Sequence, residues 1–344
     1  MDKFLSLDAK DKRAYFEVAA ANLNIMPQLI EKDFWVCWIL KVLFSLPDVG
    51  LHLTFKGGTS LSKCYKVINR FSEDIDISIE RPFLSKTKTI EPDKEKSNKE
   101  NQKRLKILQT LCKTKIDEVI VPDLKQAIAL ALPDKEGWKL SLDPDDPDRQ
   151  TILFAFPNAI IGNAESYVRP SVKVEFGARA DHWPVETAII VPYIMNVPGE
   201  QVVEGISVRV LAAERTFWEK ATILHMIYHY PSEKNMPPRI SRHYYDIYAM
   251  ADSSIYKRAL ENIPLLKTVT EHKALFFKAN WAHYEAATMA GLRLLPRNDQ
   301  MSTLKMDYHH MQQMFFKEPP AFDQIMEKLR KLEKEINGIG KHRE

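Results

Sequence analysis

The chain has 344 residues, of which 45% are hydrophobic and 28% charged, a balance typical of a globular protein with room for two domains. Its formal net charge is +3, too small to argue alone for nucleic-acid binding. The cysteines lie far apart, at Cys37, Cys64 and Cys112. This spacing excludes a disulfide framework and a zinc site, and it favours a reducing, cytoplasmic location.

Two helices are predicted near the N-terminus, over residues 8–22 and 27–45, the second with Pro27 in its first turn. Apolar residues recur at helical spacing in the second helix and predict a strongly apolar face. Its charged residues Glu31-Lys32-Asp33 are interpreted as surface charges that interact favourably with the helix dipole. The apolar stretch 34–46 is too short to cross a bilayer, so no membrane segment is expected.

The stretch 51–63 combines a predicted strand with a glycine turn. Apolar and polar residues alternate from Leu51 to Phe55, which predicts a strand, and Gly57-Gly58 ends it. Thr59 or Ser60 would then cap a following helix by accepting a backbone N–H. Because a glycine turn that opens a helix presents free N–H groups to an anion, this corner is a candidate phosphate site.

A second strand is predicted next, with isoleucines at every other position from Ile75 to Ile79. Asp74 and Asp76 point to the face opposite the isoleucines. Two carboxylates on one face of a core strand repel each other and lose solvation unless a cation lies between them. Paired carboxylates of this kind suit Mg²⁺. The alternative is a buried hairpin whose aspartates face solvent.

Two charged segments follow. The run from Lys86 to Lys106 is crowded with lysines and glutamates, and we interpret it as a solvated loop that leads into a helix near residues 100–120. Contact with an RNA backbone is the alternative. The acidic, proline-rich segment 143–148 is interpreted as a linker turn.

Further strands are predicted after this turn, at 151–156 and 168–176, with edge or connecting strands at 187–194 and 206–210. Glu175 alternates with apolar residues in the second of them, so its carboxylate lies on a predicted core strand. The plain interpretation of Glu175 is an ion pair with Lys173 or Arg179.

The C-terminal part of the chain is predicted to be helical. Lys220 flanks an apolar stripe, so it either extends toward water or reaches a buried anion. Arg242 and Asp246 are four residues apart and share a helix face, as in an ordinary surface ion pair. His225 and His229 have the same spacing, but no third ligand accompanies them, and structural roles are favoured.

Taken in order, these features resemble the nucleotidyltransferase superfamily and, within it, the AbiEii/AbiGii-type toxins. The signature is a Gly-Gly/Ser turn, a short helix and Asp-x-Asp on a strand. Gly57-Gly58, Ser60 and the strand carrying Asp74 and Asp76 match it. The resemblance also covers the Glu-Lys-Asp-aromatic segment that begins at Glu31.

Two C-terminal segments extend the resemblance. The segment 214–221 is similar to the lysine-bearing helix of these toxins and contains Lys220. The family pattern Arg-Asp-x-x-Asp is matched by Arg242 and Asp246, whereas His243 stands where the family has its first aspartate.

The resemblance implies a role for each matched residue. Asp74, Asp76 and Glu175 are implied to bind Mg²⁺ or Mn²⁺, with Glu175 as a third acid on a neighbouring strand. Lys220 and Asp246 complete the implied catalytic set, and Arg242 and Asp246 would position the lysine or the nucleotide. Nucleotide binding is implied for Lys56, Gly57, Gly58, Thr59, Ser60, Lys220 and Arg242.

The implied fold is α/β (α+β). A mixed-sheet nucleotidyltransferase domain with N-terminal helices is expected over residues 1–205. A helical domain over residues 206–344 is expected to complete the active-site cleft.

The implied activity is Mg²⁺-dependent transfer of NMP from an NTP, with release of pyrophosphate, to an RNA acceptor that we expect to be a tRNA 3′ end. The implied role is the toxin of a type IV-like toxin–antitoxin pair in abortive infection, a form of phage defence, with a separate winged-helix antitoxin. Lys63, Lys66 and Arg70 are candidates for tRNA phosphate contacts, with a solvated helix face as the alternative. Transfer to a protein hydroxyl or a small molecule, and a non-catalytic nucleotide-binding module, stay open.

Overall fold

The computed structural model describes residues 1–85, 90–132, 137–160, 169–196 and 204–341. The start of the charged run, residues 86–89, and Val168 at the start of a predicted strand lie outside these ranges. The chain forms two compact units. The first comprises residues 1–64, 71–91 and 102–211, and the second comprises residues 65–70, 92–101 and 212–344. The domain division between residues 205 and 206 stays a prediction.

A mixed sheet, seven-stranded within the described ranges, forms the centre of the first unit. Its strand order is β3-β4-β5-β2-β1-β7-β6. The pairs β1/β7 and β2/β5 are parallel, and the other neighbours are antiparallel. The strands are β1 Leu53–Lys56, β2 Ile75–Ile79, β3 Lys139–Leu142, β4 Thr151–Ala155, β5 Ser171–Gly177, β6 Val185–Ile190 and β7 Ile206–Leu211. The α/β class expected from the sequence is therefore confirmed.

Helices lie before, between and after the strands of this sheet in the chain. Those before β3 are α1 Asp2–Leu5, α2 Ala9–Leu23, α3 Pro27–Ser45, α4 Gly57–Lys63, α5 Arg81–Leu84, α6 Asn98–Lys115 and α7 Val121–Ala131. Those after β7 belong to the second unit and are α8 Ala213–Tyr228, α9 Ser241–Ala251, α10 Ser254–Glu261, α11 Ile263–Phe276, α12 Met301–His310 and α13 Phe322–Lys341. No helix among the described residues has both the length and the apolar character needed to cross a bilayer.

The core of the first unit lies between α3 and one face of the sheet. The isoleucines of β2 and the alternate residues Phe55 and Val174 on its neighbours have no exposed surface. Aromatic side chains of α3 cover this face: Trp35 stacks on Phe156 with ring centroids 5.5 Å apart, and Trp38 lies 5.6 Å from Phe154. Because side chains alternate along a strand, the opposite face receives Asp76 and Glu175.

The segment 143–148 forms the turn between β3 and β4, as its composition predicted. Two other details of the predicted elements differ from the structure. Leu51 does not extend β1, because residues Val49–His52 form a 3₁₀ turn and leave Leu51 72% exposed. Of the two strands expected to be edge or connecting strands, β6 lies at an edge, whereas β7 pairs with both β6 and β1. That parallel pairing joins strands far apart in sequence, which local patterns cannot indicate.

Candidate active site

Carboxylates from two neighbouring strands share one face of the sheet. Asp76 on β2 is the register partner of Glu175 on the parallel strand β5, and Lys56 is its partner on the antiparallel strand β1. Asp74 lies two residues before Asp76, so its side chain has the same direction. The alternation that predicted an acidic pair on one face therefore places Asp74, Asp76 and Glu175 on that face.

The glycine turn packs directly against this acidic pair. Gly57 begins α4 with φ of +79°, in the left-handed region that favours glycine. A Cβ added at Gly57 would collide with the carboxylate of Asp76. The close approach brings the Gly57-Gly58 turn to the acidic pair, so a group bound by one lies within reach of the other.

Asp74 lies in a strongly negative environment. Burial raises the pKa of Asp74 to about 6, and the charges of Glu73, Glu175 and Asp76 add to the rise. Such a cluster gains stability from a bound cation, so its donor chemistry fits a divalent ion. No group of three His, Cys, Asp or Glu side chains in the described ranges is arranged to hold a metal. Mg²⁺ is commonly bound by one or two carboxylates together with substrate phosphates, which the aspartate pair satisfies.

Glu175 has a partner of its own on β5. Its Oε1 lies 3.0 Å from Nζ of Lys173, and the glutamate side chain is 43% exposed. Lys173 also lies 3.5 Å from Asp143. The ion pair expected as the plain interpretation is thus present, while the register with Asp76 keeps Glu175 beside the acidic pair.

The hydroxyl groups of the glycine turn do not cap the helix as predicted. The helix begins earlier, at Gly57, with Lys56 at the cap position and no side-chain cap. Thr59 Oγ1 donates instead to the carbonyl oxygen of Asp74 at 2.5 Å, and Ser60 Oγ donates to the carbonyl of Gly57 at 2.9 Å. Both hydroxyls are buried and hold the turn together.

A buried charge cluster in the second unit contains Lys220. Nζ of Lys220 lies 2.8 Å from Oδ2 of Asp246. Arg70 donates to both oxygens of the same carboxylate, each at 2.8 Å. Lys220 therefore reaches a buried anion, and that anion is a carboxylate of the protein itself. Bidentate pairing of this kind fixes the carboxylate in place.

The charges of this cluster are unevenly balanced. Burial alone would raise the pKa of Asp246, but Arg70 and Lys220 outweigh it and hold the pKa well below its usual range. Burial lowers the pKa of Lys220, and the charges of Arg70 and Arg242 add to that effect although Asp246 opposes them. One carboxylate thus faces several cations, which leaves the cluster attractive to an anion such as phosphate.

The position at which the sequence departs from the family pattern also borders this cluster. His243 Nδ1 lies 3.4 Å from Nζ of Lys220. Burial, followed by the charges of Lys220 and Arg242, lowers the pKa of His243 well below its ordinary value. The imidazole is therefore neutral at physiological pH and can accept a hydrogen bond from the lysine.

Several charged residues differ from the sequence-based expectation. No ion pair joins Arg242 to Asp246 in the described part of the chain, and Arg70 takes that place. Lys63 and Arg70, expected to contact RNA, are 5% and 2% exposed and are paired with Asp33 and Asp246. They are therefore not surface contacts, whereas Lys66 is exposed.

A family-model comparison identifies the family of this chain. The family model described as nucleotidyl transferase AbiEii toxin, type IV TA system, matches residues 38–328. The chain belongs to this family. It is an AbiEii nucleotidyltransferase, the toxin component of a type IV toxin–antitoxin system. Among solved structures, MenT4, a nucleotidyltransferase toxin from Mycobacterium tuberculosis H37Rv, aligns at 16% identity with a TM-score of 0.40, covering 94% of this chain and 98% of that one. No curated protein sequence matches the chain.

Family membership establishes an NTP substrate and an antitoxin partner for this AbiEii toxin.

The two histidines spaced four residues apart lie at the end of α8, where His225 is in the last turn and His229 is the C-terminal cap residue. His225 Nε2 donates to the carbonyl of His283 at 3.0 Å, and its Nδ1 accepts the N–H of Arg293 at 3.1 Å. Both ring nitrogens are occupied, so His225 has the structural role that its sequence context favoured.

Sequence reasoning missed one group of residues in this AbiEii chain. Glu31, Lys32 and Asp33 were interpreted as surface charges, but they are 2%, 4% and 3% exposed. Their position on the first turns of a helix suggested solvent contact. The signal that could have corrected this was the apolar character of nearly every residue that follows them in α3, which indicates a helix buried on most sides.

Proposed function

We propose that this toxin transfers a nucleoside monophosphate from an NTP to the 3′ end of a tRNA in a reaction that requires Mg²⁺. The observation that carries the proposal is the aspartate pair packed against the Gly57 turn, because this pairing suits a triphosphate with its divalent ion. Asp74 and Asp76 would hold the ion. The charge of a bound divalent ion would stabilise the leaving pyrophosphate.

The residues of the chain have separate roles in the proposed reaction. The acceptor hydroxyl oxygen forms a bond to the α-phosphorus, the bond from that phosphorus to the pyrophosphate oxygen breaks, and the hydroxyl proton passes to a base. We assign the base to Glu175, which lies in register with Asp76. Lys220 would stabilise charge on the transferring phosphoryl group, and Asp246, held by Arg70, positions that lysine.

The Gly57-Gly58 turn would contact phosphate oxygens through backbone N–H groups. Arg242, whose charge acts on Lys220, would bind a further phosphate. The antitoxin, on this proposal, is a separate winged-helix protein.

The experiment that tests the proposal is sequencing of tRNA 3′ ends from cells that express the toxin. Wild type should slow growth and add one or a few nucleotides to tRNA, whereas the double variant Asp74→Ala, Asp76→Ala should do neither. A matched control is Asp145→Ala, Asp148→Ala, which removes two exposed aspartates from the turn before β4 and should act as wild type. Identical tRNA ends in cells expressing wild type and the Asp74, Asp76 variant would refute the tRNA acceptor. Transfer of labelled nucleotide to a protein in a parallel assay would then identify a protein acceptor instead.

A further inference from the structure

Three consecutive charged residues are buried at the start of α3, the helix that packs against one face of the sheet. Glu31, Lys32 and Asp33 each expose less than 5% of their surface. Successive helix residues point about 100° apart, so each side chain is directed at a different segment. Burying a charge costs several kcal/mol unless it is paired. Each of the three side chains is hydrogen-bonded or ion-paired. The partners of Lys32 and Asp33 adjoin the candidate active site.

Asp33 is joined to the C-terminal residue of α4. Its Oδ1 lies 2.6 Å from Nζ of Lys63, and its Oδ2 accepts the backbone N–H of Tyr193 at 2.7 Å. The ammonium of Lys63 also lies over the Tyr193 ring, 3.8 Å from its centroid. Burial alone would lower the pKa of Lys63, but the charge of Asp33, followed by Cys37 and Tyr193, raises it above its ordinary value, whereas burial raises the pKa of Asp33.

Lys32 is joined to the segment that leads into β2. Its ammonium forms an ion pair with Glu73, the residue immediately before Asp74. The same segment is held from the other side by α4, because Thr59 donates to the carbonyl oxygen of Asp74 and lies 2.9 Å from the hydroxyl of Ser72. One turn of α3 therefore contacts both α4 and the residue beside Asp74.

Helix α4 depends on such contacts for its orientation. It has only seven residues, and helices this short are not stable by themselves. Its first residue packs against Asp76, its third residue bonds to Asp74, and its last residue is fixed by Asp33. A change at Lys63 is therefore transmitted along one short rigid element to both aspartates.

Buried ion pairs are weak sources of stability, since apolar replacements of similar size are often as stable or more so. Their geometry, by contrast, is specific, because an ammonium must meet a carboxylate at hydrogen-bond distance. We propose that Asp33 and Lys63 are positioning residues that set the Gly57-Gly58 turn and the Asp74–Asp76 strand at the separation that an NTP with its divalent ion requires.

This inference rests on the proposed use of the aspartate pair for the nucleotide. The test is the double variant Asp33→Asn, Lys63→Met, which removes both charges and leaves neither one unpaired. The amide oxygen of the Asp33→Asn side chain still accepts the N–H of Tyr193. The melting temperature should stay close to that of wild type. The Kd of a non-hydrolysable NTP with Mg²⁺ and the KM for NTP should both rise about tenfold or more, because losing one charge-assisted contact to the triphosphate weakens binding by about that factor.

The matched control is Asp2→Asn, Lys41→Met, an ion pair that joins α1 to α3, in which both Asp2 oxygens lie 2.8 and 2.9 Å from the Lys41 ammonium. It touches neither α4 nor β2, so nucleotide affinity should be unchanged. Should the Asp33, Lys63 double variant fail to fold, Asp33→Glu keeps the charge and displaces the ammonium, and it should raise the same Kd and KM.

The binding measurement needs no acceptor, so it stands even if the tRNA proposal fails. Wild type that binds NTP but leaves tRNA unmodified refutes the acceptor, and the comparison of Kd values still decides the role of Asp33 and Lys63. Weaker binding in the double variant with an unchanged melting temperature supports positioning. Kd and KM values equal to those of wild type in that variant would overturn the positioning role. So would a loss of affinity that is accompanied by a lower melting temperature and is shared by the control.

Discussion

The sequence allowed two interpretations of Lys220, and the structure supports one of them. Its place beside an apolar stripe allowed either extension toward water or contact with a buried anion. The side chain is only 7% exposed and lies 2.8 Å from Asp246. Because Arg70 donates to both oxygens of that carboxylate, contacts within the protein alone fix the position of the ammonium.

Lys220→Met should separate charge from packing. The methionine keeps most of the apolar stem, and Asp246 remains neutralised by Arg70, so the free energy of unfolding should change little. Transfer activity should fall by about two decades or more, as expected for loss of a charge-assisted contact in the transition state. Steady-state kinetics and thermal melts provide the two measurements. Lys257→Met, an exposed change on α10, serves as the control.

Asp246→Asn should behave differently from Lys220→Met. It leaves Arg70 and Lys220 buried without a counter-charge, and breaking a buried pair in this way costs about 3–5 kcal/mol. We expect both stability and activity to fall. A stable Asp246→Asn variant, or a Lys220→Met variant with wild-type activity, would contradict the positioning role given to this carboxylate.

Glu31 should make the stability of the protein depend on pH. Both of its oxygens accept backbone N–H groups, from Ala159 and Ile160, but burial raises its pKa from 4.5 to about 7. Between these values the native state binds more protons than the unfolded chain, so the free energy of unfolding falls as pH rises through this window. The full difference corresponds to about 3 kcal/mol.

Glu31→Gln removes this titration. The free energy of unfolding of the variant, minus that of wild type, should increase by up to about 3 kcal/mol from pH 5 to pH 8. Denaturant unfolding at the two pH values measures this difference. Glu17→Gln is a suitable control because the Glu17 side chain is 51% exposed. A constant difference between wild type and Glu31→Gln across this range would show that Glu31 is already ionised at pH 5.

Charged residues whose partners are distant in sequence are where sequence reasoning failed. Arg70 and Asp246 are 176 positions apart, and Asp33 and Lys63 are 30 apart. Local periodicity reports only which face of an element a residue occupies, and most charged residues are exposed. Lys63 and Arg70 were accordingly expected at the surface. Their burial follows from tertiary pairing, which one sequence cannot reveal.

At the scale of elements, the segment β1–α4–β2 was predictable because its signals are local. Alternation gave β2, the Gly-Gly pair ended β1, and the direction of Asp74 and Asp76 followed from the period of two. The start of α4 was less accurate, since Thr59 and Ser60 have the composition of a cap but lie inside the helix. Strand order was beyond reach, because the parallel pairs β1/β7 and β2/β5 join strands separated by many residues.

Gly57→Ala should disrupt the site through the contact between α4 and β2. The substitution places a Cβ against the Asp76 carboxylate and adds strain at a positive φ, about 1–2 kcal/mol. Gly137 is a close match, with φ of +71° and nothing within 4 Å of the added Cβ. Gly137→Ala therefore adds similar backbone strain without a side-chain collision.

The two glycine variants should lose comparable stability from strain, while Gly57→Ala alone should lose transfer activity and nucleotide affinity. Thermal melts and NTP titrations distinguish these effects. Equal activity in the two variants would mean that the Asp76 carboxylate moves aside without consequence, and the close packing of the turn against the aspartate pair would then have no catalytic meaning.

At the scale of the whole molecule, the net charge of +3 hides an uneven distribution. The segment 94–106 alone carries six basic and two acidic residues, a net charge of +4. Its five lysines are all exposed. Since Lys63 and Arg70 are buried in ion pairs, this segment is a better candidate than those two residues for the proposed contact with tRNA phosphates.

Three of these lysines, Lys99, Lys103 and Lys106, recur at helical spacing along α6 and lie on one face. If they contact tRNA, changing all three to Gln should weaken binding and reduce the slope of log K against log salt concentration by about 2, since each phosphate contact contributes about 0.7–0.9. The matched control changes three other exposed lysines to Gln, Lys257, Lys267 and Lys334. Equal slopes in wild type and both variants would show that the charged run is a solvated surface, and tRNA recognition would then have to depend on other cations or on contacts without charge.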